Sequence, residues 1–146
     1  MIKNVEFDWN EDNGFCICYL TDENNELFTG DAQCHTQDED MKSQKVGEEI
    51  SYRRAKINKL CASRDHDLKP RLAALKQLYY SMAHSKNFNP KSYENKMLQR
   101  QIRLLEFDLE TIKEMLAYER ESLKAYINLK DALYKKLRTN REGKTD

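Results

Sequence analysis

Glycine, proline and long apolar runs are scarce in this sequence, which has four Gly and two Pro among 146 residues. The glycines are isolated, and none belongs to a GxGxxG or GxxxxGK[ST] phosphate-binding loop. A nucleotide-hydrolysing site of either kind is therefore not expected.

No stretch approaches the ~18 consecutive apolar residues of a membrane span, so we expect a soluble protein.

Cysteine occurs four times, and no two cysteines form a CxxC pair. Charged residues interrupt the first eight positions, so the N-terminus lacks the apolar core of a secretory signal. We therefore expect reduced thiols and a cytoplasmic protein. Strand alternation predicts Cys16 and Cys18 on the outer face of a sheet and Cys34 on the inner face. This division argues against a zinc site, and we expect no metal or other cofactor.

The histidines suggest no catalytic site. His35 precedes an acidic run, so a His–carboxylate dyad is one alternative. However, no local motif places a Ser or Cys nucleophile beside it, and His66 and His84 have no matching partner. We therefore expect that the protein is not an enzyme.

The net charge is zero, but acidic and basic residues are segregated along the chain. Residues 1–40 carry a net charge of −10, residues 41–86 carry +7 and residues 87–146 carry +3. The acidic third and the basic middle are therefore two separate candidate binding surfaces.

The acidic third predicts a three-stranded antiparallel meander, because residues 4–9, 15–20 and 27–34 alternate apolar and polar side chains. A turn at Asn13-Gly14 sets the first hairpin. The expected pairs are Trp9 with Phe15, Phe7 with Ile17, Val5 with Tyr19, Tyr19 with Phe28, Ile17 with Gly30 and Phe15 with Ala32. This register puts the aromatic residues on one covered face of the sheet.

Helical periodicity predicts three helices in the rest of the chain. A covering helix at about 43–64 carries the stripe Val46, Ile50, Arg54, Ile57 and Cys61. A second helix starts at the cap Asp67 with Pro70 in its first turn, and a third runs from Pro90 to Arg138 after the cap Asn89. The fold class is α+β: a meander covered by a helix, followed by a helical hairpin with a long C-terminal coiled-coil helix. The expected domains are residues 1–66 and 67–138, with a disordered tail at 139–146.

The last helix carries one heptad register throughout. Its a positions are Leu98, Leu105, Ile112, Glu119, Tyr126 and Leu133, and its d positions are Ile102, Leu109, Leu116, Leu123, Lys130 and Leu137. The second helix is too short to cover this seam, which predicts a homodimer or higher homo-oligomer through Leu98, Ile102, Leu105, Leu109, Ile112, Leu116 and Leu123. The alternative is a monomer whose long helix bends back near Glu119.

Two segments, Phe28-Thr-Gly-Asp-Ala-Gln-Cys-His35 and Leu68 through Ile102, resemble a group of small uncharacterised proteins carried by bacteriophages of Gram-positive bacteria. The resemblance covers about half of the chain and includes no catalytic motif. It implies a phage origin and brings no activity with it.

These features favour a non-catalytic protein that binds and blocks a host protein, such as a defence nuclease, in an anti-CRISPR-like role. An acidic lobe competes for a surface that normally holds phosphates. The candidate partner-binding acids are Asp31, Asp38, Glu39 and Asp40. One alternative is a protein that binds nucleic acid or an anionic nucleotide through Arg53, Arg54, Lys56, Arg64 and Arg71. Another is a coiled-coil adaptor. No membrane partner is expected.

Overall fold

The computed structural model describes residues 1–34 and 42–143, with side chains through residue 140. Its elements are β1 (Ile2–Asn10), β2 (Phe15–Asp22), β3 (Leu27–Gln33), α1 (Gln44–Ala62), a π-helical segment (Ser63–Leu68), α2 (Lys69–Ala83) and α3 (Tyr93–Gly143). The α+β prediction is confirmed, because the antiparallel sheet β1-β2-β3 packs against α1 and is followed by long helices. Within the described ranges, no helix is long and apolar enough to cross a membrane.

The chain divides into two compact units. Unit 1 consists of residues 1–59 together with residues 118 onward, and unit 2 consists of residues 60–117. Unit 1 therefore holds the sheet, most of α1 and the C-terminal part of α3. Unit 2 holds α2 and the N-terminal part of α3.

The strand β2 pairs with both neighbours one residue away from the predicted register. The observed pairs are Trp9 with Cys16, Phe7 with Cys18, Val5 with Leu20, Cys16 with Ala32, Cys18 with Gly30 and Leu20 with Phe28. The covered face of β2 consists of Cys16, Cys18 and Leu20, each with no exposed surface. The expected burial of Phe15 on this face is therefore wrong, and Phe7 is 39% exposed.

The length of the first turn accounts for the shift in register between β1 and β2. Asn10 pairs directly with Phe15, so four residues connect the strands instead of the predicted five. The Gly14 N–H donates to the Asn10 carbonyl oxygen at 2.8 Å. Gly14 has a φ of +68°, which favours glycine because a Cβ is disfavoured in the left-handed region. Since alternate strand residues point to opposite faces, one residue of slip reverses the whole of β2.

Small residues set the distance between α1 and the sheet. A Cβ on Gly30 would collide with the Ser51 carbonyl oxygen and the Ala55 nitrogen. One added at Gly47 would lie 3.0 Å from the Trp9 ring. The helix therefore faces the sheet with Gly47, Ser51 and Ala55, at i, i+4 and i+8, all buried. This face is rotated from the predicted stripe, of which Ile50 is buried and Ile57 only half-buried.

The helix boundaries around Pro70 differ from the prediction. No loop separates α1 from α2, because the π-helical segment Ser63–Leu68 joins them. The Lys69 N–H donates to the carbonyl oxygen of Arg64, five residues earlier. Pro70 lacks an N–H and is tolerated in the first turn of α2, directly after this wider turn. Asp67 lies inside this segment, so its predicted role as an N-cap is wrong.

The N-terminus of α3 is also capped differently from the prediction. Ser92 caps it, since the Asn95 N–H donates to the Ser92 Oγ at 3.3 Å. Asn89, the predicted cap, instead accepts from the Lys91 N–H in the preceding turn.

The heptad seam of α3 forms over most of its length. Ten of the twelve predicted positions are buried or half-buried, whereas Leu133 and Leu137 are 54% and 40% exposed. Tyr134 is buried there instead. A straight α-helix drifts by about 20° per heptad, so a strict seven-residue register rotates away from the contact face after several heptads.

Candidate functional site

The uncovered face of the sheet is the most distinctive surface in unit 1. Its middle row is apolar and comes from β2, with Phe15, Ile17 and Tyr19 each half-buried. The flanking rows come from β1 and β3. Ile17 pairs with Asp8 on one side and with Asp31 on the other. We call Glu6, Asp8, Phe15, Ile17, Tyr19 and Asp31 the open sheet face.

Each part of the open sheet face follows from strand geometry. Side chains on directly paired residues lie about 4.5–5.5 Å apart at Cβ. Tyr19 pairs with Glu6, so a carboxylate adjoins the aromatic ring as well as the isoleucine. The result is an apolar row with an acidic side chain on both flanks. A depression of about 310 Å³ adjoins it and is lined in part by Asp8, Phe15 and Ile17.

The carboxylates of this face form no ion pair within the part of the chain that the structure describes, and the guanidinium of Arg54 bonds to the Asp31 backbone carbonyl and not to its carboxylate. None of the ion pairs among the described residues includes Glu6, Asp8 or Asp31. Residues 1–34 contain eight acids and one lysine, a net charge of −7. The Lys3 Nζ donates to the Asn25 Oδ1 at 2.8 Å, in the second turn. The open sheet face is therefore a region of strong negative potential.

The structure places one of the four predicted partner-binding acids. Asp31 lies on the open sheet face, in the middle of β3. Asp38, Glu39 and Asp40 lie outside the described residues, as does His35. The sequence prediction therefore identified one acid of this face as partner-binding and did not include Glu6 and Asp8 among the binding residues.

The predicted anion-binding residues of unit 1 all have partners inside that unit. Arg53 pairs with Glu49 at 2.7 Å, donates to the Ser122 Oγ at 2.7 Å and lies 5.3 Å from the centre of the Tyr126 ring. The Nη1 of Arg54 donates to the Asp31 carbonyl oxygen at 2.8 Å, along the outer edge of the sheet. Lys56 pairs with Glu119 at 3.6 Å. These contacts hold α1 against the sheet and α3.

The two predicted anion-binding residues of unit 2 pair with carboxylates nearby. Arg64 contacts both oxygens of Asp65, at 2.8 and 3.1 Å. This contact is the main reason that the Asp65 pKa falls to about 2. Arg71 pairs with Asp67 at 3.5 Å. The five basic residues therefore belong to two units, and their charges are largely matched within each.

The predicted oligomerisation residues are all buried or half-buried within a single chain. In unit 2, Leu105 packs with Leu68 and Leu72, and partly buried neighbours complete this core. Those neighbours are Leu75, Ile102, Leu109 and Ile112. Leu98 and Leu116 are buried, and Leu123 in unit 1 is half-buried. In unit 1, the polar seam residue Glu119 contacts Lys56 of α1.

The thiols of β2 lie on the covered face, which corrects their predicted outer position. The Cys16 Sγ lies 3.5 Å from the Ser51 Oγ. Burial raises the pKa of the Cys16 thiol, and burial followed by the neighbouring Cys16 raises the pKa of Cys18 to about 11. Both thiols stay protonated at neutral pH, whereas metal ligation and nucleophilic attack need the thiolate. Among the described residues, no group of three or more His, Cys, Asp and Glu side chains is placed to hold a metal.

Comparison with known proteins identifies no relative. No family model, no curated protein and no solved structure matches the chain. The open sheet face is therefore interpreted from its own geometry and charge.

Proposed function

We propose that this chain is a non-catalytic binding protein that holds a basic protein surface on its open sheet face. The observation that carries the proposal is the position of Ile17 between the unpaired carboxylates of Asp8 and Asp31. An apolar centre with charged neighbours is the arrangement of a protein interface, in which a desolvated core is surrounded by polar groups.

A basic partner fits this face for two reasons. The first is the field of the acidic strands, which attracts and orients a surface of opposite sign. The second is the aromatic pair Phe15 and Tyr19 on the middle strand, because an arginine stem packs on apolar surface while its guanidinium reaches a carboxylate or an aromatic ring. A lysine-rich or arginine-rich patch satisfies both conditions.

The resemblance to phage proteins suggests the biological setting. In this proposal the partner is a host protein whose basic surface normally holds nucleic acid, such as a defence nuclease. Binding of the acidic face would compete with phosphates for that surface, as in an anti-CRISPR-like inhibitor. The proposed partner is therefore identified by its charge and by its nucleic-acid site.

The basic-patch alternative has less structural support. Arg53, Arg54 and Lys56 each make contacts within unit 1, so a ligand would have to displace them. The adaptor alternative rests on the length of α3 alone and predicts no role for the open sheet face.

The proposal is tested with a pair of isosteric variants and a charge-matched control. The test variant is Asp8→Asn/Asp31→Asn, which removes two charges from the open sheet face. The control is Glu23→Gln/Glu26→Gln, which removes two charges from the turn between β2 and β3. Basic proteins captured from a bacterial host are purified, and their affinities for all three proteins are measured by calorimetry.

The expected result is a defined complex that the test variant weakens about tenfold or more, since each charged hydrogen bond contributes roughly 1.5–3 kcal/mol. The control should change the affinity less than threefold. If the two variants weaken binding equally, only the net charge matters and the open sheet face is not the site. A captured nuclease should also lose activity with the wild-type chain and keep it with the test variant.

A further inference from the structure

A groove in unit 2 combines aromatic and basic side chains. It lies between α2 and the N-terminal part of α3 and has a volume of about 400 Å³. Its lining residues are Lys76, Tyr79, Tyr80, Gln99, Ile102 and Arg103. This volume is within the range of about 300–1,000 Å³ that is typical of small-molecule sites.

The charge around the groove is strongly positive. Residues 76–103 contain six Lys or Arg and one Glu, a net charge of +5. The ion pair between Lys76 and Glu106 is long, at 3.8 Å, and both side chains are 49% exposed. Arg103 is also exposed. Both lining cations are therefore accessible to an anion from solvent.

The two tyrosines of the groove differ in how firmly they are held. Tyr79 packs edge-on against Phe88, with 5.7 Å between ring centres, and its Oη accepts from the Gln99 Nε2 at 3.1 Å. The phenol of Tyr79 is thus oriented before any ligand arrives, and its O–H is available to donate. Tyr80 is 65% exposed. The ring of Tyr79 is therefore fixed, whereas the ring of Tyr80 is exposed to solvent.

We propose that this groove binds a nucleotide unit, with the base against the tyrosine rings and the phosphate at Lys76 and Arg103. Aromatic platforms beside basic side chains are the usual means of holding unpaired bases without sequence preference. A free nucleotide and a single-stranded nucleic acid share this chemistry. The groove lies in the other unit from the open sheet face and carries the opposite charge, so it does not depend on the function proposed above.

The flat, exposed ring of Tyr80 distinguishes this ligand from a simple polyanion. An acidic peptide satisfies Lys76 and Arg103 but has no aromatic base to stack. A duplex keeps its bases inside the helix and offers only phosphates. If bases stack in the groove, the affinity must therefore depend on the Tyr80 ring as well as on charge.

The test measures binding of four probes to the full chain. They are a fluorescein-labelled single-stranded 10-mer, a labelled duplex of the same length, a labelled poly-glutamate peptide and unlabelled AMP as a competitor. Tyr80→Ala removes the ring and Tyr80→Phe restores it without the hydroxyl. The matched control is Tyr93→Ala, an exposed tyrosine in the same basic segment that does not line the groove.

We expect Tyr80→Ala to weaken single-strand binding about tenfold, and Tyr80→Phe and Tyr93→Ala to change it less than twofold. Arg103→Gln should reduce the slope of log affinity against log salt by about 0.7, the value for one phosphate of a single strand. Competition by AMP with the same Tyr80 dependence identifies a free nucleotide as a sufficient ligand. Failure of AMP to compete identifies the single strand.

Three results overturn the proposal. The first is no binding of the single strand or of AMP at 50 mM salt. The second is an equal loss in Tyr80→Ala and Tyr93→Ala, which indicates non-specific attraction to the basic segment. The third is binding of the peptide or duplex as tight as that of the single strand, because charge alone then accounts for the affinity.

Discussion

Gly30 on β3 lies directly against the backbone of Ser51 on α1. A side chain at position 30 would collide with the Ser51 carbonyl oxygen, so the helix reaches the sheet only because this strand position has no Cβ. The covered residue of β2 that pairs with Gly30 is Cys18, a small side chain that fits this close approach. Packing density in a protein interior leaves no room for larger groups there.

The variant Gly30→Ala should be strongly destabilised. At an unstrained site, Gly→Ala stabilises a protein by about 0.4–1 kcal/mol through the unfolded state. Here the added methyl must push α1 away from the sheet, and overpacking of this kind costs typically 1–3 kcal/mol or more. Urea denaturation measures the free energy of unfolding of this variant. The control is Thr29→Ala, at the neighbouring position of β3 that points away from α1. A stability equal to that of the wild type would show that the helix does not approach Gly30 closely.

Neighbouring positions on β2 should respond very differently to truncation. Leu20 has no exposed surface, and Leu20→Ala should cost about 2–5 kcal/mol. Tyr19 lies on the open sheet face, so Tyr19→Ala should cost less than half as much, although tyrosine is the larger residue. Equilibrium unfolding of both variants compares the two. A greater loss for Tyr19→Ala would support the opposite strand register.

The protonated thiol of Cys18 should make stability fall at alkaline pH. Its pKa in the folded protein is about 11, above the ordinary value of 9.0. The unfolded chain therefore loses this proton first, and the stabilisation is complete below pH 9 and is lost as the pH rises to about 11. Urea midpoints at pH 8, 9.5 and 10.5 measure the slope. Tyrosines and lysines also titrate in this range, so the pH dependence of the Cys18→Ala variant is subtracted to leave the contribution of the Cys18 thiol. If the wild type and the variant have the same pH dependence, the raised pKa of Cys18 is wrong.

Self-association remains a prediction, but the structure changes where we expect it. The seam residues Leu109 and Leu116 contact their own chain or are buried in it, so Glu at these positions should unfold unit 2. On another face of α3 in that unit, Leu104 and Phe107 are 54% and 69% exposed. Met115, 47% exposed, lies on the same side of the helix. Large apolar groups at this spacing favour a second copy of the helix.

The corresponding variant is Leu104→Lys/Phe107→Lys. Light scattering should show a dimer for the wild type and a monomer for the variant, with unchanged helical circular dichroism. A wild-type mass of 17.4 kDa across micromolar concentrations would contradict self-association altogether.

Local sequence patterns alone predicted the type and order of the strands and α-helices of this protein, but not the π-helical segment or the cap of α3. The absence of Gly and Pro between residues 91 and 142 predicts the long helix, which runs from Tyr93 to Gly143. Asn13-Gly14 correctly predicts a tight turn, and the alternation at 4–9 predicts a strand. These features follow from the conformational preferences and spacing of neighbouring residues, which the local sequence contains.

The tertiary structure alone decided which faces meet. Residues 15–20 alternate only if the Cys16 and Cys18 thiols are counted as polar, and every side chain of this run is in fact apolar. Its pattern therefore fits either face of a sheet, and the pairing with β1 and β3 decides which face is covered. Likewise, the sequence around Arg53 indicates an exposed charge. In the structure its guanidinium donates a hydrogen bond to Ser122, which lies 69 positions away in the chain. The acid-flanked row around Ile17 likewise depends on strand pairing, because Asp8 belongs to β1 and Asp31 belongs to β3. Contacts between distant segments arise from packing and strand register, to which local periodicity is insensitive.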